Sequence, residues 1–145
     1  MMQEEKLQLN ERGEMSSDKK QIYIVDDDES VCRALKTFLM TFGFEVKTFY
    51  SAKSFYASPP DESGCLILDI NMPEVDGWAV MKRIFNSGSK LPIIFISAEK
   101  HESIVDRALQ AGAVGFLQKP FDGQTLVDLI NVASESNDGM NKIVK

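Results

Sequence analysis

The sequence predicts an α/β protein in which a doubly wound parallel sheet forms a single domain. Five short apolar runs alternate with five segments whose apolar residues recur at helical spacing. Such β-α alternation implies a parallel sheet with helices on both faces and right-handed crossovers. The chain has 145 residues and 43% apolar content, which suits one globular domain with its own core.

The predicted strands are short and rich in β-branched and aromatic residues. They cover residues 21–25, 44–49, 65–69, 92–96 and 114–117. The third is the most distinctive, because Cys65-Leu66-Ile67-Leu68-Asp69 is an unbroken apolar run that ends on one acid. An unbroken run is typical of a strand buried on both faces, and a charge at its carboxyl end lies where open α/β sheets place their chemistry.

A helix is predicted after each strand. The helical patterns cover residues 31–42, 51–57, 78–85, 104–109 and 126–133. Gly43 and Gly112 stand where left-handed residues end the first and fourth helices. Ser51 and Asp122 are predicted to cap the second and fifth. The segment Pro59-Pro60-Asp61 ends the second helix.

The two ends of the chain are predicted to lie outside the domain of residues 20–135. Residues 1–19 are polar and mixed in charge, with Leu7 and Leu9 the main exceptions, and are expected to form a flexible N-terminal tail. A short amphipathic helix is the alternative. Residues 136–145 are rich in Ser, Asn, Asp and Gly and are expected to form a C-terminal tail or linker.

The amino-acid composition of the chain argues against several classes of function. The net charge of -6 argues against direct nucleic acid binding by this chain, which would need a basic face. No apolar run approaches the roughly 20 residues of a membrane span, and the amino terminus lacks the apolar segment of a signal peptide. Cys32 and Cys65 lie inside apolar patterns and are expected to be buried thiols. We therefore expect a cytoplasmic protein that does not bind membranes.

Polar side chains gather at the carboxyl ends of the strands. In a sheet ordered 2-1-3-4-5, strands one and three are neighbours at the topological switch point. Acids that follow strand one would therefore converge on the acid that ends strand three, with the residues after strands four and five on the far side. The set comprises Asp26, Asp27, Asp28, Asp69, Ser97 and Lys119.

These residue types suit phosphoryl transfer to a carboxylate. Clustered carboxylates repel one another, and a hard cation such as Mg2+, which prefers oxygen ligands, relieves the repulsion. Asp26, Asp27, Asp69 and a nearby main-chain carbonyl could hold it. A carboxylate can attack phosphorus, while a lysine and a hydroxyl stabilise the transferred oxygens. Taken alone, each of these residues could be an ordinary turn or helix-cap residue, and we favour that explanation for Asp28. The occurrence of the whole set at the strand ends favours a functional site.

The motifs that carry this set resemble the receiver domain of bacterial two-component response regulators over residues 20–135. They are Val25-Asp26-Asp27-Asp28, Leu68-Asp69-Ile70-Asn71-Met72-Pro73, Asp76-Gly77, Ile96-Ser97-Ala98, Ala111-Gly112-Ala113 and Lys119-Pro120-Phe121. The resemblance implies a flavodoxin-like (βα)5 sheet in the order 2-1-3-4-5. The segment from Ala111 to Phe121 further resembles receivers fused to LuxR-type helix-turn-helix domains.

The resemblance also implies roles for individual residues. Asp69 would accept a phosphoryl group from a sensor histidine kinase, assisted by Lys119 and by the switch hydroxyl of Ser97. Mg2+ would be bound by Asp26, Asp27 and Asp69 and by the main-chain carbonyl of Asn71. Phe116 would be the aromatic switch, and the Lys119-Pro120 bond would be cis.

The implied function is signalling rather than turnover of an external substrate. Phosphorylation would alter the surface of helix four, strand five and helix five, for homodimer formation or effector control of transcription. A phosphatase of the haloacid dehalogenase type is one alternative, but it needs a second acid where this chain has Asn71. A pseudo-receiver that is never phosphorylated is the other alternative.

Overall fold

Five parallel strands and five helices alternate along residues 20–135, as the sequence predicts. The computed structural model describes residues 7–9, 15–17, 20–58, 60, 63–99, 101–135 and 143–144, with only the backbone for 7–9, 15–17, 135 and 143–144. The strands are β1 (Gln21–Val25), β2 (Glu45–Phe49), β3 (Cys65–Asp69), β4 (Ile93–Ser97) and β5 (Gly115–Gln118). The helices are α1 (Glu29–Met40), α2 (Ala52–Tyr56), α3 (Gly77–Asn86), α4 (Glu102–Ala111) and α5 (Gly123–Glu135).

The main strands pair in the order β2-β1-β3-β4-β5, which confirms the predicted 2-1-3-4-5 sheet. β3 lies between β1 and β4, and all five of its residues are buried. The strand pairing brings the carboxyl ends of β1, β3, β4 and β5 to nearly the same level. The paired residues near these ends are Val25 with Leu68, Asp69 with Ile96 and Ser97 with Gln118. The residues that follow those strands therefore share one edge of the sheet.

Two apolar clusters lie on the two faces of the sheet. Side chains alternate between them along each strand, so that Leu66 and Leu68 face one cluster while Cys65 and Ile67 face the other. The first cluster is completed by α2, α3 and α4, and the second by α1 and α5. This double covering explains why the central strands are apolar throughout instead of alternating with polar residues.

Helix ends follow the predicted capping chemistry. The Ser51 hydroxyl accepts from the Ser54 N–H at the start of α2, and the Asp122 carboxylate accepts from the Gln124 N–H at the start of α5. Gly43 and Gly112 have φ of 88° and 114°, the left-handed region that favours glycine. The third helix begins at Gly77, one residue before the predicted start at residue 78, and Asp76 is its N-cap.

The two terminal segments contain backbone structure that the sequence did not predict. Leu7–Leu9 and Met15–Ser17 pair as short antiparallel strands, and the flexible tail of residues 1–19 stays a prediction. Ile143–Val144 adds a sixth, parallel strand beside β5. The open backbone groups of an edge strand provide a template for such pairing. The predicted helix break at Pro59 and Asp61 lies outside the described residues, and the domain boundaries stay predictions.

Both cysteines are buried free thiols, as the sequence predicts. Burial raises the pKa of Cys32 and of Cys65 to about 12, so both are protonated near neutral pH. Among the described residues, no helix is long and apolar enough to cross a membrane.

Gly77 lets α3 begin directly beneath the end of β3. A Cβ atom at this position would lie 2.6 Å from the Asp69 carbonyl oxygen and 2.8 Å from the Ile70 Cα. The Gly77 N–H also donates to the Ile70 carbonyl at 2.7 Å. Because the neighbouring atoms are backbone, a larger residue would displace the strand end that carries Asp69.

We predict that Gly77→Ala lowers the free energy of unfolding by about 1–3 kcal/mol, the usual cost of overpacking. Urea unfolding followed by circular dichroism measures the change. Ala79→Ser is the control, since Ala79 is exposed on the same helix, and it should change the free energy by less than about 0.5 kcal/mol. Equal stability of the Gly77 variant and the parent would contradict the packing argument.

Candidate functional site

Three carboxylates meet where the ends of β1 and β3 lie side by side. Asp69 is the last residue of β3, and Asp26 and Asp27 follow β1 directly. One oxygen from each lies within 4.8 Å of the others. Asp26 is fully buried and Asp69 is 4% exposed, whereas Asp27 is exposed to solvent. The cluster therefore has a buried floor and an open side at Asp27.

Lys119 lies between the two buried acids. It follows β5, and its Nζ lies 2.7 Å from Asp26 Oδ2 and 3.6 Å from Asp69 Oδ2. The Lys119-Pro120 bond is cis, as the resemblance implied. The Lys119 N–H donates to the Ser97 carbonyl at 2.7 Å, which ties the lysine to the end of β4.

Backbone N–H groups orient the second oxygen of each buried carboxylate. The Asp28 N–H donates to Asp26 Oδ1 at 2.9 Å, and the Asn71 N–H donates to Asp69 Oδ1 at 3.3 Å. Each carboxylate thus directs one oxygen to a backbone N–H and the other to Lys119. This arrangement fixes both groups before any ligand binds, as an electrostatically preorganised site requires.

Ser97 lies beside the acids and is linked to them through Asn71. The Asn71 side-chain Nδ2 donates to Ser97 Oγ at 3.4 Å, and the Glu99 N–H donates to the same oxygen at 3.0 Å. Ser97 is the last residue of β4 and is 1% exposed. Its hydroxyl therefore lies at the same edge as Asp69, held by two donors.

Burial and neighbouring charges shift the pKa of Asp69 and of Lys119. Burial raises the pKa of Asp69 to about 6, and the nearby Asp26 charge adds to this, while Lys119 and the Asn71 N–H act in the opposite direction. Burial alone would lower the pKa of Lys119, but its hydrogen bond and charge interaction with Asp26 outweigh burial, so the pKa is raised. At neutral pH Lys119 is charged and Asp69 is mostly ionised.

The donor set fits a hard divalent cation. Oxygen-only ligands and partial hydration are what such cations prefer, and the exposed Asp27 leaves a side open to water. By formal charge, three carboxylates and one ammonium leave two negative charges, which a divalent cation would balance.

Other singled-out residues do not contribute a side chain to the carboxylate cluster. Phe116 is fully buried in the apolar cluster beneath α3 and α4. Asp28 caps α1, where its hydrogen bond to the Ser30 hydroxyl lowers its pKa. His101 is exposed at the start of α4.

Two site features were missed at the sequence level. The side chain of Asn71 reaches Ser97, although the sequence assigned a role only to its main-chain carbonyl. Gly77 supports Asp69 from below. The sequence contains the spacing Asp69-x-Asn71 and the glycine after Asp76. Neither pattern shows that the Asn71 side chain contacts Ser97 or that Gly77 lies against the backbone of Asp69.

The fold and site together define a class: a doubly wound sheet with a carboxylate-lysine cluster at its switch point. Residues 22–131 match the family model described as the response regulator receiver domain. Because the match covers well over half of the chain, the protein belongs to that family.

Relatives and solved structures agree with this family. The chain is 39% identical over 123 residues to the response regulator protein TmoT of Ectopseudomonas mendocina, covering 84% of this chain and 56% of TmoT. It is 35% identical over 115 residues to the transcriptional regulatory protein FixJ of Rhizobium meliloti, covering 79% and 56%. The structure of the response regulator StyR matches with a TM-score of 0.75 and 38% identity, covering 82% of this chain and 61% of StyR. The chain thus spans about half the length of the curated relatives it matches.

The raised pKa of Asp69 predicts a pH-dependent stability difference. The folded-state pKa of about 6 lies above the ordinary value of 3.8, so the contribution of Asp69 to stability is fully present below pH 3.8 and is lost as pH rises through 6. Asp69→Asn lacks this titration. In chelator-treated buffer it should therefore be more stable than the parent at pH 7, by about 1–2 kcal/mol after allowing for solvent screening.

Urea unfolding across pH 4 to 8 measures this effect, and the difference should grow as pH rises from about 4 to about 7. Asp106→Asn is the control, because Asp106 is exposed on α4; this surface substitution should change the free energy of unfolding by less than about 0.5 kcal/mol. If Asp69→Asn is no more stable than the parent at pH 7, the electrostatic account of the site is wrong.

Proposed function

We propose that this domain is the phosphoryl-accepting receiver of a two-component response regulator, with Asp69 as the acceptor. The observation that carries the proposal is the placement of Asp69 between a charged lysine and two further acids. The Asp69 carboxylate is mostly ionised at neutral pH and is oriented by the Asn71 N–H, so it can act as a nucleophile. Family membership supports the same role.

The proposed reaction transfers a phosphoryl group from a phosphohistidine of a sensor histidine kinase. A carboxylate oxygen of Asp69 forms the new bond to phosphorus as the phosphorus–nitrogen bond breaks, and the histidine imidazole leaves. Lys119 lies 3.6 Å from Asp69 Oδ2 and would stabilise the phosphoryl oxygens. The domain would assist only its own phosphorylation and dephosphorylation, because the amide at Asn71 cannot serve as the general acid of a phosphatase.

We assign Mg2+ as the cation of this site. Asp26, Asp27 and Asp69 would bind it, and the Asn71 carbonyl stays a proposed fourth ligand. When bound, the ion supplies charge neutralisation to the transferred phosphoryl oxygens. Lys119 already neutralises part of the charge of Asp26, so the lysine and the cation would share the same acidic cluster.

The switch would act through Ser97 and Phe116. The Ser97 hydroxyl, now held by Asn71 and Glu99, would move to bond a phosphoryl oxygen. Phe116 is already buried in this structure, so phosphorylation would stabilise this inward arrangement rather than create it. The surface of α4, β5 and α5 would then form a homodimer or control an effector.

The output would be transcription control by the longer protein. The chain matches about half of each relative, and FixJ is named a transcriptional regulatory protein. A LuxR-type DNA-binding domain beyond residue 145 and a cytoplasmic location are parts of the same proposal.

We predict that Asp27→Asn weakens Mg2+ binding by about ten-fold or more, because a carboxylate ligand is lost. Isothermal titration calorimetry with MgCl2 measures the affinity. Asp28→Asn is a closely matched control, since it also removes one acid but keeps a side chain that can cap α1. Equal losses in the two variants would show that general negative charge, and not this cluster, binds the ion.

Asp69→Asn is expected to abolish phosphoryl uptake from acetyl phosphate in the presence of Mg2+, because the amide is a much weaker nucleophile. Retained radiolabelled phosphate after gel filtration measures uptake. Asp76→Asn should still be labelled, because Asp76 caps α3 outside the cluster. A chelator should abolish labelling of the parent. Persistent uptake by the Asp69 variant would refute the assignment.

A further inference from the structure

A groove of about 510 Å³ runs between α3 and α4, separate from the acid cluster. Trp78, Lys82 and Phe85 line it from α3, and Arg107 and Ala111 line it from α4. Lys82, Arg107 and Ala111 are exposed, so the groove is open along its solvent side. An open groove between two helices suits an extended or helical segment better than a compact molecule that must be enclosed.

The floor of the groove is a fixed aromatic surface. The Trp78 ring lies 4.9 Å from the buried Phe95 ring of β4, which anchors it to the core. The Phe85 ring lies against Gly112, where a Cβ atom would come within 2.8 Å of it. Anchored aromatic side chains offer apolar contact area at a low entropic cost, as in the central residues of protein interfaces.

The groove is locally basic on an acidic protein. Arg107 stacks over the Trp78 ring at 4.0 Å, which leaves its guanidinium edge available for a carboxylate. Among the described residues, neither Lys82 nor Arg107 forms an ion pair with an acid. Asp76 is the one acid among the groove's described lining residues, and it already accepts the Ala79 N–H. The chain as a whole carries a net charge of -6.

We propose that the α3–α4 groove binds an acidic segment of a partner protein. Apolar side chains of that segment would pack on Trp78 and Phe85, and its carboxylates would pair with Lys82 and Arg107. Charge complementarity selects this occupant, because a basic segment would be repelled at both walls. The site does not depend on phosphorylation of Asp69, so it can be tested whether or not the proposed phosphoryl transfer occurs.

Trp78 is the only tryptophan in the chain, so its fluorescence reports directly on the groove. The probe is a synthetic peptide of about 12 residues with leucines at helical spacing and glutamates between them. It should produce a saturable change in Trp78 emission that weakens as salt is added. A peptide with lysines in place of the glutamates should produce no such change.

Reversing a positive charge in the groove should make the groove prefer the lysine peptide over the glutamate peptide. Arg107→Glu should weaken the acidic peptide about ten-fold or more and strengthen the lysine peptide. Arg83→Glu is the matched control: Arg83 lies on α3 and stacks on Tyr56 at 3.7 Å, outside the groove lining. Lys82→Glu makes the same test on the α3 side of the groove, and it replaces the Arg107 variant if that variant does not fold.

Three results would overturn the proposal. The first is no saturable emission change with the acidic peptide. The second is an equal loss of affinity in the Arg83 and Arg107 variants, which would indicate non-specific attraction. The third is full displacement of the peptide by a low concentration of benzoate. Benzoate is a small aromatic carboxylate, so this result would identify the groove as a small-molecule site.

Discussion

The contact of Lys119 with two buried acids is the interaction on which the site depends. Its ammonium joins the ends of β1, β3 and β5, since it lies 2.7 Å from Asp26 and 3.6 Å from Asp69. Without this cation, two carboxylates would be buried beside each other unpaired, which is strongly unfavourable. Burial and, after it, the nearby Asp26 charge raise the pKa of Asp69. One lysine cannot balance three acids, so the cluster keeps an excess of negative charge. That residual charge would favour a divalent cation at the same edge.

Much of the fold was predictable because each strand and helix carries its own local signal. The unbroken apolar run of β3 indicated burial on both faces, and Ser51, Gly43 and Gly112 marked helix ends by their capping chemistry. The terminal strands were not predicted, because pairing of two or three residues depends on an available partner more than on local pattern. The sequence also did not show that Gly77 is needed for close contact with the backbone of Asp69.

The candidate site was predictable at the level of residue type and strand end, because strand order determines which ends are neighbours. Its detailed contacts were not predictable. The sequence could not show that Lys119 bonds Asp26 more closely than Asp69, or that the Asn71 amide reaches Ser97. These contacts depend on side-chain rotamers and distances that residue spacing does not encode. The inward position of Phe116 is likewise a result of packing.

The most direct test of the central claim is chemical trapping of the phosphorylated residue. Acetyl phosphate and Mg2+ are supplied to the parent protein, the acyl phosphate is reduced with sodium borohydride, and the modified residue is located by peptide mass spectrometry. Reduction of an aspartyl phosphate yields homoserine. If Asp69 is the phosphoryl acceptor, homoserine appears at position 69 and at no other acid of the cluster. Homoserine at position 26 or 27, or none under conditions that phosphorylate a control receiver, would contradict it.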